Sequence, residues 1–308
     1  FNATVNLDEG LNFSNYIFIV IDTPNGGGDN FYDHSKVSKL LNKINERKVE
    51  NKNIIICCTV MPGYIDRIGK YLIRDCPGST LNYSPEFIAQ GNIIQGFHYP
   101  DIILLGEANR EVGNNIIYIL HKTCFNEPTI CRMTPLEAEI TKISVNGFIT
   151  TKISYANMIA DACCESGARP NVVLNAVGSD SRIGNKYFKP GYSFGGPCFP
   201  RDTLALSKYI KSVGIEPSIS EAAHQYNNYH SDFMTRKLLE QNKEVYVFTN
   251  VCYKENSQVP IIEESAKLKI AKKIAKRGKR VIIRDISTLI NEVRMEYGDI
   301  FEYEIVTN

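Results

Sequence analysis

The chain has 308 residues, 43% hydrophobic and 22% charged, with 35 basic side chains against 34 acidic ones and a formal net charge of +1. That length holds two or three domains, and the balance is ordinary for a globular protein. It excludes the basic footprint of a nucleic-acid or membrane-surface binder, and no apolar run reaches the roughly 18 residues of a membrane span.

In chain order, YIFIVI (16–21) is a short apolar run closed by the turn signal DTPNGGG and reads as a buried strand. Helical spacing follows through Val37, Leu40, Leu41 and Ile44. NIIICCTV (53–60) is a second buried strand ended by Met-Pro-Gly, and 64–73 reads as a short helix. DIILLG (101–106) is another strand, and 109–124 is helical. Strands alternating with helices predict a parallel sheet in an α/β domain.

From about 135 the texture changes. A long helix starts near Thr134-Pro135 and stops at Gly167, and a second runs over about 218–241. After Lys243 the α/β pattern returns: VYVFTNVC as a strand, 263–277 as a helix with a basic solvated face, and RVIIRD (280–285) as a strand. The expected organisation is α/β: residues 1–130 a partial Rossmann-like domain, 131–242 a central helical domain, and 243–308 a second, short Rossmann-like domain. Chemistry in such a layout belongs at the carboxyl ends of the strands.

The nine cysteines include two adjacent pairs, Cys57-Cys58 and Cys163-Cys164, and no C-x-x-C. This spacing fits neither a disulfide framework nor a zinc site, so a reducing, cytoplasmic setting and no metal are expected. The five histidines, His34, His98, His121, His224 and His230, are scattered and read as structural or surface residues. Cys198 stands apart, inside GYSFGGPCFPRD (191–202). Glycines allow close backbone approach to a ligand. By itself this leaves two readings open, a nucleophile or a small hydrophobe in a turn.

Five segments together resemble the UDP-glucose/GDP-mannose dehydrogenases: FIVIDTP (18–24), CTVMPG (58–63), SPEFIAQG (84–91), EAEITKISVNGF (137–148) and RIGNKYFKPGYSFGGPCFPRD (182–202). Their order and spacing match the family, and the last matches its catalytic-cysteine signature. Pro-Glu-Phe at 85–87 and Cys-Phe-Pro at 198–200 look most like the UDP-glucose branch. The resemblance implies oxidation of a nucleotide-sugar C6 alcohol to a carboxylate, with two hydrides passed to NAD. It implies Cys198 as the nucleophile that holds the aldehyde, Lys142 and Asn146 as oxyanion stabilisers, Thr59 and Asp202 as a water-holding pair, and Glu86 as acid or base. Spacing alone would leave Lys142 and Asn146 on a solvated helix face.

By the same resemblance, Phe87, Ile88, Arg182, Lys186, Tyr187, Lys189, Gly191, Phe194, Gly195 and Lys254 bind the nucleotide sugar. Thr23, Pro24, Thr59, Glu86, Cys198 and Arg201 then face NAD. The family's arginine at position 182 can serve a neighbouring subunit, which implies a homodimer built on the 218–241 helix.

The chain also departs from the family. It opens where the G-x-G-x-x-G unit has already ended, so two strands of the first sheet and the pyrophosphate turn are expected to be missing, leaving an unpaired edge. Gly26-Gly27-Gly28 is no substitute, since no fitting helix follows it. Gln90, Ser193, Arg201 and Ile102 replace common family residues. In 250–261 Lys254 remains, but Val259 and Ile261 stand at the aspartate and arginine positions. The sequence therefore admits three functional readings. One is a nucleotide-sugar dehydrogenase. The second is a non-catalytic nucleotide-sugar-binding or structural protein derived from one. The third is a cysteine hydrolase, which would need a histidine beside the thiol.

Overall fold

The computed structural model describes residues 2–88, 91–254 and 259–306. The chain divides into two compact units, Phe1–Ser144 and Val145–Asn308.

In the first unit a short helix α1 (Leu7–Phe13) precedes β1 (Tyr16–Ile19), α2 (Ser35–Glu46) and β2 (Asn53–Ile56). One wide π-type turn (Ile65–Gly69) runs into α3 (Lys70–Leu72), then β3 (Thr80–Tyr83), α4 (Ile93–His98), β4 (Ile102–Gly106), α5 (Arg110–His121) and β5 (Thr129–Met133). The sheet order is β1-β2-β3-β4-β5. Its ladders are parallel except at β3/β4, which meet antiparallel at the single pair Tyr83–Gly106. Ile54, Ile55 and Ile56 are fully buried, because β2 lies between two strands and is covered on both faces. The helical spacing in α2 places Val37, Leu41 and Ile44 into the same core.

β3 and β5 lack the apolar run that marked the other strands. In TLNY the buried Asn82 serves the sheet instead: it donates to the Ile54 carbonyl and accepts the Ala108 amide at 2.9 Å. In TICRM the first two positions are exposed. Neither gives the periodicity by which a sequence announces a strand.

Helix α6 (Pro135–Ser166) starts on a reciprocal cap. The Thr134 hydroxyl accepts the Glu137 amide, and Glu137 accepts the Thr134 amide at 2.8 Å. Proline at the first helical position loses no hydrogen bond there. The chain continues into the second unit with α7 (Pro170–Gly178), α8 (Phe199–Ser212) and α9 (Ser218–Glu240). Next come β6 (Val245–Thr249), α10 (Ala266–Ala275), β7 (Arg280–Asp285), α11 (Ser287–Tyr297) and β8 (Glu302–Ile305), whose strands form a parallel sheet β6-β7-β8. Parallel neighbours need crossover helices, and α10 and α11 supply them. The basic side of α10 is only partly solvated. Lys273 pairs with Asp232 of α9 at 2.8 Å, and Lys267 sits 5.4 Å from the Tyr192 ring centroid.

The architecture is thus α/β with parallel-dominated sheets and many helices, as the strand–helix alternation predicts. Among the described residues, no helix is long and apolar enough to cross a membrane.

Candidate active site

The first unit gathers its share of the residue set where β1, β2 and β3 end. Thr23 and Pro24 follow β1, Thr59 follows β2, and Glu86, Phe87 and Ile88 follow β3. Parallel strands open a crevice at their carboxyl ends, which is where α/β sheets hold ligands. The Thr23 hydroxyl donates to the Thr59 carbonyl at 2.7 Å, joining two of these loops. Lys142 reaches in from α6. Its ammonium donates to the Glu86 carbonyl and lies 4.3 Å from the Phe87 ring centroid, so a cation rests on an aromatic face. Burial raises the Glu86 carboxyl above its ordinary value, and the nearby Lys142 charge opposes that rise. A carboxyl raised in this way is suited to acid–base work.

The segment carrying Thr59 is anchored by two groups that the sequence did not single out. His34 accepts the Met61 amide through Nε2 at 3.3 Å. Glu139, fully buried, accepts the amides of Gly63 at 2.6 Å and Ile65 at 2.8 Å. Gly63 has φ +93°, a conformation that favours glycine and makes the sharp exit from the strand possible. Because Glu139 is one helical turn before Lys142, the same helix end holds the Thr59 segment and presents the ammonium.

In the second unit, Cys198 holds the N-cap position of α8. Two cysteines among the described residues are exposed, Cys164 and Cys198. Cys164 lies in the last turn of α6 and Cys198 at the first turn of α8. A helix favours negative charge at its N-terminus and disfavours it at its C-terminus. Burial pushes the Cys58 thiol up to about 12 and Cys57 higher still. Of the two exposed thiols, Cys198 is the one at a helix N-terminus.

One turn into α8, Asp202 is almost fully buried. It accepts from Asn146 Nδ2 at 2.7 Å and from Arg201 Nε at 3.1 Å. The Thr203 hydroxyl, on the next residue of α8, meets Thr150 one turn further along α6 at 2.9 Å. Gly147 allows this close packing, since a Cβ there would lie 2.4 Å from the Leu206 side chain.

The loop leading to Cys198 is held at every step. Asn157 accepts the Gly191 amide and donates to the Tyr192 carbonyl. Asn227 takes both the amide and the carbonyl of Phe194, and its own carbonyl accepts the Ser193 hydroxyl. Gly195 passes so close to the backbone at Glu264 that a Cβ would lie 2.2 Å from that carbonyl. Gly196, at φ +78°, packs on the Tyr253 ring.

The expected sugar-clamp residues are more dispersed. Arg182 is exposed and paired with Asp180 at 2.6 Å. Lys186, Lys189 and Lys254 are also exposed. Tyr187 takes φ +59° and sets its ring edge-on to Phe199. Ile88 packs against Gly96. The Phe194 side chain is buried, so what it presents locally is backbone fixed by Asn227. Gln90 and residues 255–258 lie outside the described residues. The flanking Ile261 carbonyl accepts the Tyr253 amide at 3.0 Å. The five histidines bond elsewhere: His34 to the Met61 amide, His98 to the Thr123 carbonyl, His121 to Glu127, His224 to Asn228, and His230 to Asp161 and the Gly191 carbonyl.

Residues 1–124 match the description "UDP-glucose/GDP-mannose dehydrogenase family, NAD binding domain" and residues 136–229 match "UDP-glucose/GDP-mannose dehydrogenase family, central domain". The two matches cover more than half of the chain. UDP-glucose 6-dehydrogenase from Rickettsia bellii is 31% identical over 234 residues, 75% of this chain and 53% of that protein. UDP-glucose 6-dehydrogenase TuaD of Bacillus subtilis is 31% identical over 244 residues, 77% of this chain and 51% of that protein. A solved UDP-glucose dehydrogenase from the hyperthermophilic archaeon Pyrobaculum islandicum aligns with a TM-score of 0.87 at 26% identity, covering 99% of this chain and 71% of that one. The chain spans about half the length of the curated relatives it matches.

Proposed function

Because the chain belongs to the UDP-glucose/GDP-mannose dehydrogenase family, we propose that it serves the NAD-dependent oxidation of the C6 alcohol of a nucleotide sugar, UDP-glucose first, to the carboxylate. The observation that carries this reading is the placement of Cys198, an exposed thiol at a helix N-terminus one turn before a buried aspartate that binds Asn146.

The residues present fit part of a dinucleotide. Thr23, Pro24, Thr59 and Glu86 sit at the carboxyl ends of adjacent parallel strands, where a nicotinamide ring would be received. The Gly26–Gly28 turn closes on itself through a Gly27–Asn30 bridge and opens no helix, so it offers no pyrophosphate cradle. Bound NAD+ would supply the hydride acceptor, once for each of the two oxidations.

The chain's own groups account for the other events. A water held between Thr59 and Asp202 takes the alcohol proton as the first hydride leaves. The Cys198 thiolate adds to the aldehyde carbon and forms a thiohemiacetal, whose oxyanion is stabilised by Lys142 and Asn146. Loss of the second hydride gives a thioester. Glu86 then activates water, the C–S bond breaks, and carboxylate and thiol are released. In this reading Phe87, Ile88, Arg182, Lys186, Tyr187, Lys189, Gly191, Phe194, Gly195 and Lys254 bind the nucleotide sugar. Arg201 borders the cofactor, α9 carries a homodimer contact, and the functional division is 1–130, 131–242 and 243–308.

The decisive experiment follows NADH formation from UDP-glucose and NAD+, with this chain beside the longest native product. Two NADH per sugar, abolished by Cys198→Ala, is the expected result. Silence from both folded proteins overturns the reading and leaves a nucleotide-sugar-binding protein.

A further inference from the structure

Between α6 and α9, within the second unit, lies a buried polar chain that the proposed chemistry does not use. Asp161 and His230 are 6% and 4% exposed. Both carboxylate oxygens of Asp161 lie 2.9 Å from His230 Nδ1, and Tyr226 donates its hydroxyl to the same carboxylate at 2.9 Å. On the far side, His230 Nε2 is 2.8 Å from the Gly191 carbonyl.

We infer that His230, oriented by Asp161, is a positioning residue that fixes the backbone of the 191–194 loop and so the approach to Cys198. The chemical argument is short. A carbonyl oxygen only accepts, so Nε2 must carry a proton and donate it. A carboxylate facing Nδ1 then orients the ring. This is the geometry by which a carboxylate sets a histidine for catalysis, but the group beyond the ring here is a carbonyl with no proton to give up. The pair can therefore hold but cannot activate.

What it holds is the loop in which glycine alone makes backbone geometry negotiable. Gly191 has no side chain to anchor it. Its amide is bound by Asn157 and its carbonyl by His230. Asn157 and Asp161 are one turn apart on α6, and Asn227 and His230 one turn apart on α9, so two polar ledges grip residues 191–194 from two helices. Burying four polar side chains among apolar helix contacts is costly unless each is satisfied. Here each has its partner: Asn157, Asn227 and His230 bind the loop, and Asp161 binds His230 and Tyr226.

The link to Cys198 chemistry rests on the proposed dehydrogenase reading, but the clamp itself is measurable without turnover. Amide hydrogen exchange of the 190–196 peptide would be followed in the full chain without ligand. Removing the donor with His230→Leu should raise exchange there about tenfold, with the β6-β7-β8 sheet unchanged. His230→Gln alone sets a carbonyl against the Asp161 carboxylate and should also loosen the loop. The pair Asp161→Asn with His230→Gln rebuilds a neutral relay, amide to amide to carbonyl, and should restore protection to within about threefold.

Rescue by that pair supports positioning and would not follow from simple core loss. Unchanged loop exchange in His230→Gln, or a rise spread evenly over the chain, overturns the inference; this holds even if the leucine variant fails to fold. Loop loosening where neither this chain nor the longest native product forms NADH keeps the clamp and removes the dehydrogenase reading. An active wild type with an unaffected loop does the reverse.

Discussion

Glu139 accepts the Gly63 amide at 2.6 Å from a fully buried position, so the turn after β2 is tied to the helix that carries Lys142. Burial pushes this carboxyl up to about 7 despite the Gly63 and Ile65 amides and Arg67, which favour its charge; Asp66 adds to the rise. The folded state then binds a proton that the unfolded chain releases between about 4.5 and 7. Stability from this group is full below 4.5 and is lost as pH rises through about 7, a swing on the order of 3 kcal/mol. Urea midpoints of wild type and Glu139→Gln across that window would show it. The wild type should fall with pH, and the variant should have a flatter profile. Parallel profiles would remove Glu139 as the cause.

His34 predicts the opposite sign on the same segment. Its ring is held neutral, because burial lowers it from 6.5 to about 4, and Asp33 only partly offsets this. Nε2 must accept the Met61 amide, which a protonated ring cannot do. The stabilisation is present above pH 6.5 and lost as pH falls through about 4. His34→Gln keeps an acceptor but no titration, so its acid-side loss over that range should be shallower than the wild type's.

These two residues show what a sequence discloses. Strands β1, β2 and β4 were legible as short apolar runs, although β1 ends at Ile19 and β2 at Ile56, short of the runs at 16–21 and 53–60. The Cys198 segment was legible because a motif of glycines and a thiol is rare. Glu137 and Glu139 stand alike in EAEITK, yet Glu137 caps the helix in solvent while Glu139 is fully buried on the turn after β2. His34 and His230 looked alike as scattered histidines. One accepts a loop amide and the other donates to a loop carbonyl, and both roles depend on which backbone the fold delivers. β3 was hidden for the same reason, since the buried Asn82 is satisfied by the Ile54 carbonyl of β2 and the Ala108 amide after β4.

Gly195 gives a steric prediction. A Cβ would lie 2.2 Å from the Glu264 carbonyl, a backbone atom that cannot swing aside. Gly195→Ala should shift the loop or the 264 segment at a cost of about 1–3 kcal/mol. Gly191→Ala meets nothing within 4 Å and should be tolerated. Thermal midpoints of the two variants side by side would separate close approach from a general need for glycine.

Asp202 carries the last prediction, because its hydrogen bonds to Asn146 and Arg201 can be removed separately from its volume. It is 1% exposed and accepts from Asn146 and Arg201. Asp202→Asn keeps the shape but places an amide where two donors converge, whereas Asp202→Ala leaves both donors unmet. Truncating one partner of a buried charged contact costs about 3–5 kcal/mol, so the alanine variant should lose that much in urea unfolding and the asparagine variant less. If Asp202 also holds the proton-accepting water, the asparagine variant should lose far more turnover than stability. Equal losses in both measurements would assign Asp202 to holding α6 against α8 alone.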